Sequence, residues 1–372
     1  MIMMTSEFNY YMISLNPQKM YFFGNEQTFG EENEVNYYAK SNLFPAQTTL
    51  LGMLRFQLLQ QNGLISDGKI TKPEEAIKLI GEKSFPTENS GRYGVINRIS
   101  PLLIHDGNDF FYFSNKEFSP NLNADGTILN KKVALIPNRR DQQHIRFYYN
   151  NEKAQNFPND IIHFEPKKGF EKCLKGLIDP DKVYKFEHVF NSYSKVGIDI
   201  NKQGFYKQDF WGLASDFKFV FILECSKSLP FELHSALVQM GGEKSIFKME
   251  VTDSEHDIET LFPDYQSNNT SQDTEIIHEI LLLSDVYTDN SIYDACLFAN
   301  TESIDFRHIS TRINDTKNYA AKPKKSYKYN LLKRGSILYT KNPLIITKKI
   351  NENETFKQIG FNYYTIKKIL TS

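Results

Sequence analysis

The sequence predicts an α+β fold with antiparallel sheets, arranged as two ferredoxin-like (RRM-like) units with inserted loops and a hairpin. Three observations predict it. Short runs rich in aromatic and branched residues recur along the chain, several of them around hairpin turn signals. Strands and helices mix without the long β-α-β rhythm of a doubly wound sheet. The 372 residues exceed what one core usually holds, so two domains are expected, each with room for a β-α-β-β-α-β unit. The expected division is an N-terminal domain over 1–190, a hairpin and inter-domain region over 191–215, and a C-terminal domain over 216–372.

The elements follow in order. "FNYYMISLN" (8–16) reads as a first strand, and a polar, glycine-containing loop follows it. "FPAQTTLLGMLRFQLLQQNG" is the clearest helix: Pro45 suits its first turn, Leu51, Leu54 and Leu58 recur at helical spacing, and Gly63 ends it. "TKPEEAIKLIGE" is a shorter helix with Thr71 as cap, Pro73 in the first turn and acids near the positive end of the dipole. After Gly91 the period changes. "RISPLLIHDGNDFFYFSN" reads as two strands around Asp106-Gly107, and "KKVALIPNRRDQQHIRFYY" as a strand with basic flanks. "SYSKVGIDINKQGFYKQDFWGL" (192–213) reads as a hairpin turning near Lys202 to Gly204, and "FKFVFILEC" as a buried strand. "PFELHSALVQMGG" is expected to be a helix. "EIIHEILLLSDVYT" is expected to be a strand, and "YNLLKRGSILYTK" and "FKQIGFNYYTIKKIL" to be the closing strands.

Composition bounds the function. Hydrophobic residues at 40% and charged residues at 24% fit a soluble globular protein. Cys173, Cys225 and Cys296 lie far apart, which argues against a disulfide framework or a cysteine zinc site and fits a reducing cytoplasm. The start of the chain lacks the basic flank and apolar core of a signal peptide, and the longest apolar run, 217–225, is too short to span a bilayer. The net charge of −1 hides an asymmetry. From Met249 to Phe306 there is no Lys or Arg, while from Lys317 to Lys349 there is no acid, and Tyr319, Tyr327, Tyr329 and Tyr339 interleave with the cations. A basic stripe with aromatics suits a phosphate backbone with stacked bases. The same pattern also arises when the stripe pairs with the acidic segment in space.

Motifs narrow the chemistry. "MGGEKSIF" (240–247) resembles the end of a phosphate-binding loop, but Glu243 stands between Gly242 and Lys244 and the preceding glycine is missing, so a nucleotide loop is excluded. The eight His residues are scattered, with no H-x-x-x-H pair, which argues against a helical zinc site. His144, in "RRDQQHIR", is the best candidate for a general base on RNA, against the plainer role of a surface or phosphate-contacting side chain. The start of the first helix places Gln47, Thr48 and Thr49 at free backbone amides that attract anions, or simply cap the helix. The hairpin carries Lys195, Lys202, Tyr206 and Lys207, suited to wedging against bases or to plain solubility.

Taken in order, "FFGNEQTFGE", "LFPAQTTLLGMLR", "NRISPLLIHDGNDFFYF", "SKVGIDINKQGFYKQDFWGL", "MGGEKSIF", "LLLSDVYT", "RGSILY" and "IGFNYY" resemble the RAMP superfamily of CRISPR effector proteins. Within it they resemble subunit three of the type III-B Cmr complex. The chain departs from that pattern at "NRISP", at "LLLSD", and at Asn362, which stands where a second glycine is usual.

The resemblance implies two ferredoxin-like domains and a non-catalytic scaffold without cofactor or metal. It implies binding of the 5′ handle of a guide RNA, and contacts with the large cyclase-type subunit and the first backbone subunit. The RNA-binding set then expected is Gln47, Thr48, Thr49 and Arg55 on the first helix, and Gly241, Gly242, Lys244 and Ser245 in the glycine loop. Arg139, Arg140, Lys195, Lys333 and Arg334 would supply charge, and Tyr206 a stacking ring. The acidic segment 249–306 is expected on an outer face or against a protein partner. The competing expectations are a guide-processing endoribonuclease using His144, and a protein-interaction module without RNA.

Overall fold

A computed structural model of the chain describes residues 8–24, 37–85, 93–108, 110–113, 133–137, 145–149, 152–153, 163–166, 184–185, 189–199, 204–241, 243–262, 276–310, 313 and 324–370. The architecture is α+β with mostly antiparallel sheets. The strand Phe8–Pro17 lies inside the largest sheet, antiparallel to Lys218–Ser226 on one side and to Ser245–Asp253 on the other. Leu103–His105 continues the sheet beyond Lys218–Ser226, and Ala236–Met240 closes it beyond Ser245–Asp253. A four-stranded sheet is built from Phe298–Asn300, Ile337–Thr340, Ile276–Leu282 and Tyr364–Leu370, in that spatial order.

The apolar core of the strand Lys218–Ser226, 219–223, is explained by burial on both faces. Phe219, Phe221, Leu223 and Cys225 face a core that also holds Leu50, Leu54 and Leu58 of the helix Gln47–Gln61. Val220 and Ile222 face the opposite way, into a core shared with Leu281, Ile337 and Tyr339 of the second sheet. The far side of that sheet, Ile280, Leu282 and Leu338, packs on Ile346 and Ile350 of the helix Pro343–Asn351. The layers therefore run helix, sheet, sheet, helix. The first helix is apolar around most of its girth because little of it meets water.

Lys218–Ser226, Ala236–Met240 and Ser245–Asp253 all belong to the sheet of the first strand, and the second sheet begins at Ile276. The hairpin is present: Phe190–Asp199 and Gly204–Leu213 pair antiparallel, and Tyr37–Lys40, in a stretch read as loop, adds a parallel third strand.

Other segments depart from the sequence reading. The stretch 230–240 is not a helix but an extended run ending in Ala236–Met240. Its backbone is held by two side-chain amides from the end of the first helix. Gln61 exchanges hydrogen bonds with the N–H and C=O of His234 (2.6 and 3.0 Å), and Asn62 does the same with Glu232 (3.0 and 2.9 Å). Side-chain amides reproduce the donor–acceptor pair of a neighbouring strand, so the extended form is satisfied without helix bonds. The second helix, Pro73–Ile80, is preceded by Lys72 rather than capped by Thr71. The stretch 131–149 makes two paired strands, Val133–Pro137 and Ile145–Tyr149. "YNLLKRGSILYTK" breaks at Gly335, φ +81°, into strands of two different sheets, and "FKQIGFNYYTIKKIL" opens with the short helix Glu354–Gln358.

A ring cluster ties 82–85 to the C-terminal half. Phe85 meets His308 and Phe356 edge-on, and His308 stacks on Tyr329. Burial pushes the His308 imidazole below its ordinary value of 6.5, opposed by a backbone hydrogen bond at Ile309. A base whose folded pKa is lowered contributes full stability above the unfolded value and loses it as pH falls below about 6.5, because the unfolded chain binds the proton first. The melting temperature should therefore fall more between pH 7.5 and 5.5 in the wild type than in His308→Phe. Equal falls would remove His308 as the titrating group.

Candidate nucleic-acid interface

The glycine loop is the tip of the hairpin between Ala236–Met240 and Ser245–Asp253. Gly241 has φ +76°, and the turn closes through Lys244 N–H to Gly241 O (3.2 Å), with Lys244 itself at φ +52°. A Cβ on Gly241 would lie 2.5 Å from the carbonyl oxygen of Phe22, so only glycine admits that approach. Ser245 Oγ accepts the Phe22 N–H at 3.0 Å, and Ser41 Oγ accepts the Phe23 N–H at 2.9 Å. Gly241 and Ser245 thus brace the "YFFG" segment of this same chain. Glu243 and Lys244 point outward and are exposed.

A second seam gathers four of the motif-bearing segments. Gln47, the first residue of its helix, is buried, and its Nε2 donates to Gly360 O (2.9 Å) and Ser100 O (3.3 Å). Gly360, φ +92°, leaves no room for a Cβ, which would sit 2.3 Å from Gln47 Nε2. Ser100 in turn exchanges bonds with Ile222, its N–H donating to Ile222 O and its Oγ accepting from Ile222 N–H, both at 2.8 Å. Nearby, the Arg334 guanidinium lies 4.5 Å from the Phe44 ring centroid and donates to Leu102 O (3.4 Å), while Asp285 accepts the Arg334 N–H at 2.9 Å. Burial lowers the Arg334 pKa and Asp285 opposes the shift. The helix start carries no acid in its first turn and no side-chain cap, and Thr48 and Thr49 are half-buried there.

The expected RNA set therefore splits. Gln47, Arg55 and Arg334 are directed into the fold. Arg55 donates to Gly81 O at 3.1 Å, and burial pushes its pKa down to about 10, opposed by Tyr93. Lys333 pairs with Glu302 (2.7 Å). The cations of the acid-free stretch meet the acidic segment in space: Lys328 with Asp305 (2.6 Å), Arg334 with Asp285 (3.8 Å) and Lys349 with Asp289 (3.9 Å). Arg139, Arg140, His144 and Gly242 lie outside the described residues.

On the hairpin, Lys195 is exposed with Nζ 5.6 Å from the Phe210 ring centroid. Tyr206 lies flat across Gly197, where a Cβ would be 2.4 Å from its ring, and Tyr193 covers Gly212 in the same manner. Rings that cover glycines on a hairpin stiffen it. The half-buried Tyr206 ring is thus engaged within the hairpin itself. Sequence reading missed Tyr38, an exposed ring beside Lys207. Its signal is the period-2 alternation of Tyr38 and Lys40 around the buried Ala39.

Among the described residues no group of three or more His, Cys, Asp or Glu is placed to hold a metal ion, and no helix is long and apolar enough to cross a membrane. The family model for CRISPR-associated protein (Cas_Cmr3) matches residues 13–363. Among solved structures, the chain is similar to a chain in a cryo-EM structure of the Type III-B Cmr-beta bound to cognate target RNA. That match has TM-score 0.48 and 14% identity, and covers 95% of this chain and 96% of that chain. It is also similar to a chain in a crystal structure of the Csm3-Csm4 subcomplex in the type III-A CRISPR-Cas interference complex. Here the TM-score is 0.39 at 12% identity, covering 89% of this chain and 97% of that chain. No curated protein matches it.

Proposed function

The chain belongs to the Cas_Cmr3 family of CRISPR-associated proteins, and from that premise we propose that it is a non-catalytic, RNA-binding scaffold subunit of a type III-B effector complex. In this reading it binds the 5′ handle of the guide RNA and contacts the large cyclase-type subunit and the first backbone subunit. The observation that carries it is the family match over residues 13–363. The convergence of the glycine loop with Phe22, and of the helix start with Ser100, Gly360 and Arg334, supports it: the motifs that carry the family resemblance meet in two seams.

We also read the two sheets as the cores of two ferredoxin-like units. Their support is strand order. Numbered along the chain, 8–17, 96–105, 218–226 and 245–253 stand side by side as second, third, first, fourth. The strands of the four-stranded sheet stand in the same order.

For the RNA contacts, the exposed Lys195 and Lys244 and the half-buried Thr48 and Thr49 of the expected set are proposed to meet phosphate, and Arg139 and Arg140 are kept with them. Gln47, Arg55, Gly241, Ser245 and Arg334 are assigned to shaping the surface from beneath. Burial pushes the Cys225 thiol up to about 12, with Glu224 adding to the shift, and burial does the same for Cys296, so neither is a nucleophile at neutral pH.

The purified chain should bind single-stranded RNA carrying the repeat-derived handle weakly when alone. Affinity should fall as salt rises, because phosphate neutralisation releases counterions. Salt-independent binding, or none within the reconstituted complex, would sink the reading. Site-specific cleavage of precursor RNA in EDTA, abolished by His144→Ala, would replace it with the endoribonuclease.

A further inference from the structure

We propose that Tyr38 stacks on a base of single-stranded RNA at the outer face of the three-stranded sheet formed by Tyr37–Lys40, Gly204–Leu213 and Phe190–Asp199. This deepens the RNA-binding reading above and rests on it.

The register sorts the two faces. Tyr38 pairs with Lys207 and Lys40 with Asp209. Across the hairpin, Val196 pairs with Lys207 and Ser194 with Asp209. Directly paired residues share a face, so Tyr38, Lys40, Lys207, Asp209, Ser194, Val196 and Ile198 lie together. On the opposite face Ala39 and Phe210 are buried with Phe22. The first face is open: Tyr38 is 53% exposed, Val196 70% and Ile198 61%.

The ring is held in place before any ligand arrives. The Tyr38 hydroxyl donates to Asp209 Oδ2, and the other oxygen of that carboxylate accepts from Ser194 Oγ at 2.5 Å. Lys207 Nζ lies 5.4 Å from the Tyr38 ring centroid and 3.6 Å from Asp209 Oδ1. The carboxylate is occupied by these partners, and two lysines stand against one acid on this face. A fixed ring with ammonium groups at its side meets both needs of a single strand, a π-surface for a base and positive charge for the adjoining phosphates. Apolar Val196 and Ile198 extend the shelf. A protein partner of the same chain would use the apolar shelf but has no need of the pinned ring or the lysines.

The test is fluorescence anisotropy on the full-length chain with a single-stranded RNA carrying the repeat-derived 5′ handle. Tyr38→Leu should weaken binding roughly 5- to 160-fold, the range of one lost base–aromatic stack. Its melting temperature and salt slope should stay unchanged. Tyr38→Phe should stay within about threefold, since the ring remains. Replacing Lys40 and Lys207 by Met should instead lower the slope of log K against log salt by about 1.4, roughly 0.7 per phosphate contact on a single strand. Tyr38→Trp should retain affinity, and its fluorescence should be quenched by RNA more strongly than that of the wild type, whose single tryptophan is Trp211.

Tyr38→Leu binding as well as wild type, with no quenching in Tyr38→Trp, overturns the stacking role and leaves the RNA-binding reading standing. A wild type that binds no RNA, alone or within the reconstituted complex, removes both. Unchanged RNA affinity with loss of a protein component from the assembled complex reassigns this face to protein contact and also overturns the proposal.

Discussion

Replacing Arg98 with alanine is expected to lower folding stability by about 3–5 kcal/mol, the usual cost of stranding one partner of a buried ion pair. Glu224 is wholly buried in the strand Lys218–Ser226, where it pairs with Arg98 of the neighbouring strand Ile96–Ile99. The guanidinium grips it as a fork, Nε to Oε1 at 3.1 Å and Nη2 to Oε2 at 2.5 Å, and Asn97 Nδ2 donates to Oε1 as well. Arg98 also reaches Glu259 on the short helix Ile258–Leu261. Burial works against the Arg98 charge, but the hydrogen bonds and charges of Glu224 and Glu259 outweigh it and raise its pKa above the ordinary arginine value. Removing the arginine leaves a carboxylate inside the sheet with Asn97 as its remaining side-chain donor in this group. Removing both charges is a different experiment. Arg98→Met with Glu224→Leu should recover most of the loss, because apolar side chains of similar volume need no desolvation. Urea denaturation of the two variants measures this directly. A single variant costing under about 1 kcal/mol would show that water reaches Glu224 once Arg98 is gone.

Asn362→Ala is expected to cost about 3–4 kcal/mol, from two separable sources. The residue sits at φ +62°, where a Cβ crowds the carbonyl and asparagine is among the few tolerated side chains. Its buried amide is also fully engaged. Oδ1 accepts the Tyr287 N–H (2.8 Å), and Nδ2 donates to Tyr287 O (3.0 Å) and Ile350 O (2.7 Å). Asn362→Gly keeps the backbone geometry and loses only the amide bonds, so it should be milder than alanine by about 1 kcal/mol. Equal losses in chemical denaturation would mean that the left-handed backbone contributes nothing. The resemblance places a glycine at this position. This chain instead uses asparagine to hold the turn after Gly360 against both Tyr287 and the last turn of the helix Pro343–Asn351.

These two positions show what was legible in the sequence and why. The class of fold followed from short aromatic strands and isolated helical periodicity, and the core strands 8–16 and 217–225 read correctly to within a residue because their patterns are local. The stretch 230–240 did not, because its conformation is decided by Gln61 and Asn62, some 170 residues away. Leu233, Leu237 and Met240 fit a helical spacing, while Val238 and Met240 are the pair that the sheet buries. The motif-bearing segments were recognisable as a set, but their direction was not. Gln47, Arg55 and Arg334 are polar residues in motifs, and only packing reveals that they hold carbonyls inside the fold. The basic stripe was ambiguous for a plain reason: charge patterns along a chain do not state which opposite charges fold back on them. Tyr38 was hidden because its strand is four residues long and pairs with Gly204–Leu213, far along the chain.

The placement of the strand Phe8–Pro17 bears on how the chain is made. Both of its neighbours, Lys218–Ser226 and Ser245–Asp253, leave the ribosome more than 200 residues later. At about 5–20 residues per second the strand waits roughly 10–50 s for them. During that time an alternating, partly aromatic segment stands without a sheet. The helix Gln47–Gln61 is the first large apolar surface to emerge after it. The sheet can close around the strand only once translation passes residue 253.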